Sequence, residues 1–249
     1  MHRNLRILIL LLVLAAIAGL QFGERLWVRS GAHPLQVAIY PIAADEAGAA
    51  YVPRLRAEDY QEIAAFLASE AQRWRHRVVA PAQITLEAPI RDLPPRTEAH
   101  STPEAVQSSL RLRWYAFRHT PFRASLGRIR LFVLYHEARP DLTLPDSHGL
   151  QKGLFGVVHV FASDAQRAQN NVVIAHELLH TLGASDKYDM RGQPLDPTGL
   201  ADPYAQPRYP QFKAEIMAGR IAVSASEAVI PKSLAETIIG YATAAEIGW

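Results

Sequence analysis

Residues 176–189 read HELLHTLGASDKYD. Two histidines stand four apart, a glutamate follows the first, and a glycine and an aspartate come after at positions 183 and 186. With 10 His in 249 residues, an H-E-x-x-H match arises by chance only about 0.02 times. Requiring Gly183 and Asp186 as well lowers that to the order of 10⁻⁵–10⁻⁴.

On a helix, residues four apart lie about 40° round the axis from one another, so His176 and His180 present their imidazoles from one face on successive turns. That placement suits two ligands of one tetrahedral ion. Glu177 lies about 60° from His180, beside the ligand face, where its carboxylate reaches a water next to the ion without binding the ion itself. The opposite side, with Val172, Ala175, Leu179 and Leu182, is apolar and anchors the helix in a core. Gly183 stands where the pattern stops, and glycine adopts the left-handed conformation that ends a helix and reverses the chain. The reversal makes Asp186 the natural third ligand, with Glu215 or Glu236 as rivals from further downstream. Three protein ligands and a fourth position for water are the arrangement of a catalytic ion rather than a structural one.

The rest of the chain sets the context. It contains no cysteine, which removes disulfides, zinc ribbons and thiol catalysis and leaves any metal to His, Asp and Glu. A formal net charge of +2 is too small to imply a nucleic-acid partner. Two stretches mix arginine with aromatics, RWRHR (73–77) and RLRWYAFRH (111–119). In the second, Leu110, Trp114 and Phe117 recur at helical spacing, which predicts a core face and leaves Arg111, Arg113 and Arg118 solvated.

At the N-terminus Arg3 and Arg6 precede an apolar run from Ile7 to Leu20, the pattern of an export signal. As a helix that run spans about 21 Å, and Leu5 to Phe22 about 27 Å, against a hydrocarbon core of about 30 Å. Residues 1–30 are therefore read as a cleaved signal peptide or a membrane anchor, with residues 31–249 exported as one catalytic domain. An uncleaved segment makes the membrane a partner. No internal repeat is present.

Strand candidates fall at 35–42, 84–90, 128–136 and 156–162, and helices at 57–74, from Thr102 onward, and at about 168–182. The interleaving predicts a mixed α+β upper lobe over about residues 31–183. Beyond Gly183, residues 190–211 hold five prolines and form neither a regular helix nor a central strand. This lower lobe, about 184–249, ends in a helix resuming near Ser233, with Thr243 and Glu246 spaced as a capping box. Asp189, Asp196 and Asp202 are read as turn formers rather than calcium ligands. His159 is read as a satisfied structural histidine.

The stretch HELLHTLGASD resembles the long H-E-x-x-H-x-x-G-x-x-H/D motif of the metzincin clan of zinc metallopeptidases, in its snapalysin-like branch with aspartate as third ligand. The resemblance implies one catalytic Zn²⁺ held by His176, His180 and Asp186, with Glu177 as general base. It implies a methionine turn beneath the metal, for which AEIMAGR (214–220) offers Met217. Some members carry a tyrosine two residues after that methionine. Here the position is Gly219, leaving Tyr188, Tyr204 or Tyr209 as substitutes. The strand at 156–162 is expected to edge the cleft and take an extended substrate, with residues 190–211 walling the far side. The function so implied is a zinc endopeptidase of the cell envelope or exterior. The competing readings are a non-catalytic, metal-organised envelope protein and a zinc amidase on a non-peptide substrate.

Overall fold

The LQVAIYPI run forms β1 (Leu35–Ala43), and all but two of its nine residues are buried. A strand shielded on both faces belongs in the middle of a parallel sheet with helices on either side. In this computed structural model β1 indeed pairs in parallel with β2 (Ala82–Leu86) on one side and β3 (Arg128–His136) on the other. β5 (Phe155–Phe161) continues in parallel on β3, and β4 (His148–Leu150) closes the sheet antiparallel, giving the order β2-β1-β3-β5-β4. The structure describes residues 33–74, 82–95, 102–120, 127–139, 144–145, 147–150 and 154–249, with scattered positions before residue 29. Most of the N-terminal apolar segment lies outside the described residues. Among them no helix is long and apolar enough to cross a membrane.

Helices cover both faces. α1 (Glu46–Tyr51) follows β1 directly, its start fixed by the Asp45 side chain, which accepts from Gly48 N at 2.8 Å. α2 (Gln61–Arg73) and α4 (Arg167–Leu182) lie on one face. There Ile63, Leu67, Val172, Ala175, Leu178 and Leu179 pack with Val37, Ile39, Leu131 and Val133 of the sheet. α3 (Thr102–His119) lies on the other, where Leu112, Tyr115 and Ala116 meet Ala38, Tyr40, Phe132 and Leu134. The chain is thus a mixed α/β fold around a largely parallel sheet. The core on the α4 side also takes in Ile216, Met217, Leu234, Ala244 and Ile247 from the C-terminal part, so both ends of the chain share one core.

That part is built of short pieces, consistent with its prolines. β6 (Ala214–Glu215) pairs with β9 (Thr237–Ile238), β7 (Ile221–Ala222) with β8 (Ala228–Val229), and α5 (Tyr241–Ile247) closes the chain.

Several sequence expectations are corrected. The strand expected at 84–90 ends at Leu86 and begins at Ala82. The helix expected near Ser233 is a single 3₁₀ turn, Leu234–Glu236. The chain beyond it is held extended: Ile239 N donates to Glu70 at 2.8 Å, and Trp74 Nε1 donates to the Ile239 carbonyl at 3.0 Å. Thr243 and Glu246 form no capping box, because α5 already starts at Tyr241 and both side chains reach elsewhere. On α3 the expected core face is corrected, while Arg111 and Arg118 are exposed as expected. Leu110, Trp114 and Phe117 point to solvent while Leu112, Tyr115 and Ala116 are buried, since the helix carries two apolar faces and spacing alone does not choose between them. Finally, β5 is not an edge strand; β4 lies outside it.

Candidate metal centre

α4 carries His176, Glu177 and His180 on its last two turns. Val172, Ala175, Leu179 and Leu182 are all buried, but Val172, one turn before His176, lies on the histidine side of the helix and not opposite it. Gly183 ends the helix with φ of 109°, and Ala184 N donates back to the Leu179 carbonyl at 3.1 Å. A side chain resists that left-handed geometry, so glycine makes the reversal inexpensive. The reversal carries the Ala184 carbonyl onto His180, whose Nδ1 donates to it at 2.8 Å. His176 Nδ1 donates to the Ile216 carbonyl at 2.9 Å.

Both imidazoles are thereby fixed with Nδ1 protonated and Nε2 turned inward. The two Nε2 atoms lie 3.1 Å apart, and Asp186 Oδ1 sits 3.2 Å from each. Among the described residues these three form the one group of His, Cys, Asp and Glu with metal-ligand spacing. The set fits a zinc ion. Tetrahedral bonds of about 2.0–2.1 Å hold ligand atoms roughly 3.3–3.4 Å apart, close to the observed triangle. Carbonyl partners on Nδ1 are the usual means of orienting histidine ligands. Three acceptor atoms facing one another also call for a positive charge between them.

Where no ion stands between them, protons on the imidazoles balance the carboxylate instead. Burial opposes charge on His176, yet the Asp186 hydrogen bond and the nearby Glu177 carboxylate lift its pKa above the ordinary histidine value. Burial likewise opposes charge on Asp186, but the hydrogen bonds from His176 and His180 hold its carboxyl well below the usual range.

The rival ligands are occupied elsewhere. Glu215 is fully buried and accepts from Ala218 N, Gly240 N and Thr243 Oγ1 at 2.6–3.1 Å. Its carboxyl is raised by burial, against the pull of those donors. Glu236 accepts from Lys232 N. Met217 is completely buried, in a turn where Gly219 N reaches back to the Glu215 and Ile216 carbonyls. The residue before it is the one whose carbonyl orients His176, so the turn lies directly against that histidine. Gly219 closes that turn with φ of 68°, a backbone conformation that suits glycine and not a tyrosine.

The triangle opens on a cavity of about 580 Å³. Glu177, only 4% exposed, lines it beside His176 and Asp186. Tyr188, Ile216, Gly219 and Ile230 line it from the C-terminal part of the chain. Residues 190–211 contribute nothing to that lining, which corrects the wall expected from the prolines: they fold into turns of their own. Of the three tyrosines, Tyr188 lines the cavity, whereas Tyr204 is 87% exposed and neither it nor Tyr209 reaches it. His159 also lines it, 2.8 Å from His136 through a ring-to-ring hydrogen bond. Asp189 accepts from Arg191 N and Gln193 N, and Asp202 from Tyr204 N, as turn formers do. Asp196 pairs with Arg208.

One part of the site was not read from the sequence. Ser185 donates through N and Oγ to Glu246 on α5, both at 2.8 Å. Lys187, 5% exposed, donates to both Glu246 oxygens at 2.8 and 2.9 Å. The residues flanking Asp186 are thus tied to the final helix, and Lys187 N also donates to the Met217 carbonyl. Burial raises the Glu246 carboxyl, but Lys187 and Ser185 outweigh it and leave the pKa below the ordinary 4.5. A carboxyl lowered on folding stabilises the fold fully above its unfolded pKa, and loses that contribution as pH falls through the folded value. Glu246→Gln therefore destabilises the protein at neutral pH, and its gap from wild type narrows below about pH 4.5. Urea unfolding of both proteins across that range checks it; a gap independent of pH places the effect elsewhere.

No protein-family model matches this chain, and no curated protein matches it either.

Proposed function

We propose that the chain is a zinc-dependent endopeptidase of metzincin-like construction. The observation that carries the reading is the triangle of two Nε2 atoms and one carboxylate oxygen, opening on a cavity with Glu177 in its wall. His176, His180 and Asp186 hold the ion. Bound zinc supplies an acidified water, with a pKa near 7, and polarises a carbonyl.

The chain's own groups do the rest. Glu177 takes the proton given up when water attacks the scissile carbonyl and returns it to the leaving amine. Tyr188 supplies a hydroxyl two residues from Asp186 for the oxygen that gains charge. β4 supplies the outer edge of the sheet, and Ser147 just before it lines the cavity. An extended peptide laid along that edge gains main-chain hydrogen bonds and passes over Glu177. Arg3, Arg6 and the following apolar run support an activity outside the cytoplasm, on a secreted or membrane-anchored chain.

The test is cleavage of a proteome-derived peptide library by the purified chain. Internal peptide bonds are cut, cutting stops when a chelator strips the metal, and added zinc restores it. A chain that holds zinc stoichiometrically and cuts no peptide overturns the reading in favour of a metal-organised scaffold or a hydrolase of other amides.

A further inference from the structure

α3 presents an apolar stripe to solvent. Val106, Leu110, Trp114 and Phe117 are 56–64% exposed, and at 100° per residue they fall within an arc of about 80°. Leu112, Tyr115 and Ala116, buried against the sheet, are centred on the opposite side of the helix. Trp114 and Phe117 touch each other, with ring centroids 5.8 Å apart. Scattered exposed apolar residues are ordinary, but a continuous stripe over three turns marks a contact surface.

What surrounds the stripe indicates what covers it. Arg113 borders one side of the arc, and Arg118 and Arg111 border the other. The one acidic residue of the helix, Glu104, stands in its first turn. Aromatic and aliphatic side chains between rows of arginine are the make-up of a helix lying in a membrane interface, rings among the acyl chains and guanidinium groups at lipid phosphates. A symmetric pairing of two such helices would instead bring the arginines of one copy against those of the other.

Chain geometry points the same way. Trp27, separated in sequence by six residues from the end of the apolar N-terminal run, lies against Gly127 at the start of β3. Arg130, three residues on, donates to Thr120 at the end of α3 at 3.2 Å. Trp27 and the Phe117 end of the stripe therefore lie at the same end of the sheet.

We propose that α3 is a membrane-docking helix that lays the Val106–Phe117 stripe into an anionic lipid surface. Because α3 and α4 cover opposite faces of the sheet, docking turns the His176–His180 face away from the bilayer, toward substrates in solution. This holds whatever reaction that face performs.

The cysteine-free chain permits a clean test. The full chain, spin-labelled at Leu110→Cys, is reconstituted into mixed phosphatidylcholine–phosphatidylglycerol vesicles, with a label at Tyr204→Cys as the aqueous control. The label at 110 gains access to oxygen and loses access to a water-soluble nickel chelate, while the label at 204 does not change. Arg111→Gln with Arg118→Gln, or Trp114→Ala with Phe117→Ala, reverses the shift, the aromatic pair weakening docking by about 100-fold. A label at 110 that stays aqueous in vesicles overturns the proposal. So does dipolar broadening between labels of two copies without lipid, which assigns the stripe to self-association. So does a disulfide between cysteines at 110 and 12 in detergent, which assigns it to the chain's own N-terminal segment.

Discussion

Glu177→Gln lowers peptide turnover by about 10²–10⁴-fold, the range a positioned general base contributes, equivalent to about 3–5 kcal/mol of barrier. Zinc content stays at wild-type level. The two readouts separate because the two roles sit on different atoms. Glu177 stands outside the ligand triangle yet lines the same cavity, one residue along the helix from His176. Glutamine keeps the shape of the side chain and its place in the wall but has no carboxylate to receive a proton. The change also removes a buried negative charge that favours the charged form of His176, so histidine orientation is checked independently by metal stoichiometry. Turnover within a few-fold of wild type, with zinc bound, removes Glu177 from the chemistry and with it the peptidase reading.

The parts of the fold set by local rules were legible in the sequence. β3 has the expected limits, and β1 and α4 lie within a residue of theirs, because continuous burial, helical spacing and a terminal glycine act over a few residues. The triangle was legible for the same reason: i,i+4 spacing and one chain reversal place all three groups. Features fixed by distant partners were not. The clamp on Asp186 joins Ser185 and Lys187 to Glu246, about sixty residues away, and the Thr243–Glu246 spacing reads equally well as a helix cap until those partners are known. The edge strand β4 is three residues long within a loop, too short to leave an alternation. α3 shows a different limit, since a helix apolar on two sides gives one periodic signal for two faces.

Asp186→Ala lowers zinc affinity by at least about 100-fold, since losing even a group that only orients a ligand costs roughly 10–100-fold. Asp186→Asn falls between alanine and wild type, keeping an oxygen at the same reach but without the charge. The side chain is 43% exposed, so its removal leaves little cavity behind and the fold survives for measurement. Its neighbours are tethered to other elements: Ser185 and Lys187 are held from both sides through Glu246, and Lys187 N donates to the Met217 carbonyl. These tethers fix the backbone that carries the aspartate, which lowers the ordering cost of binding at this site. Direct titration with a competing zinc chelator measures the affinity, and thermal unfolding without metal shows that the variants remain folded. If Asp186→Ala binds zinc as tightly as wild type, the third ligand is another group and the triangle is only an ion pair. A loss equal to that of His180→Ala makes Asp186 a full member of the ligand set, and the reversal at Gly183 is then what converts two histidines on a helix into a three-ligand site.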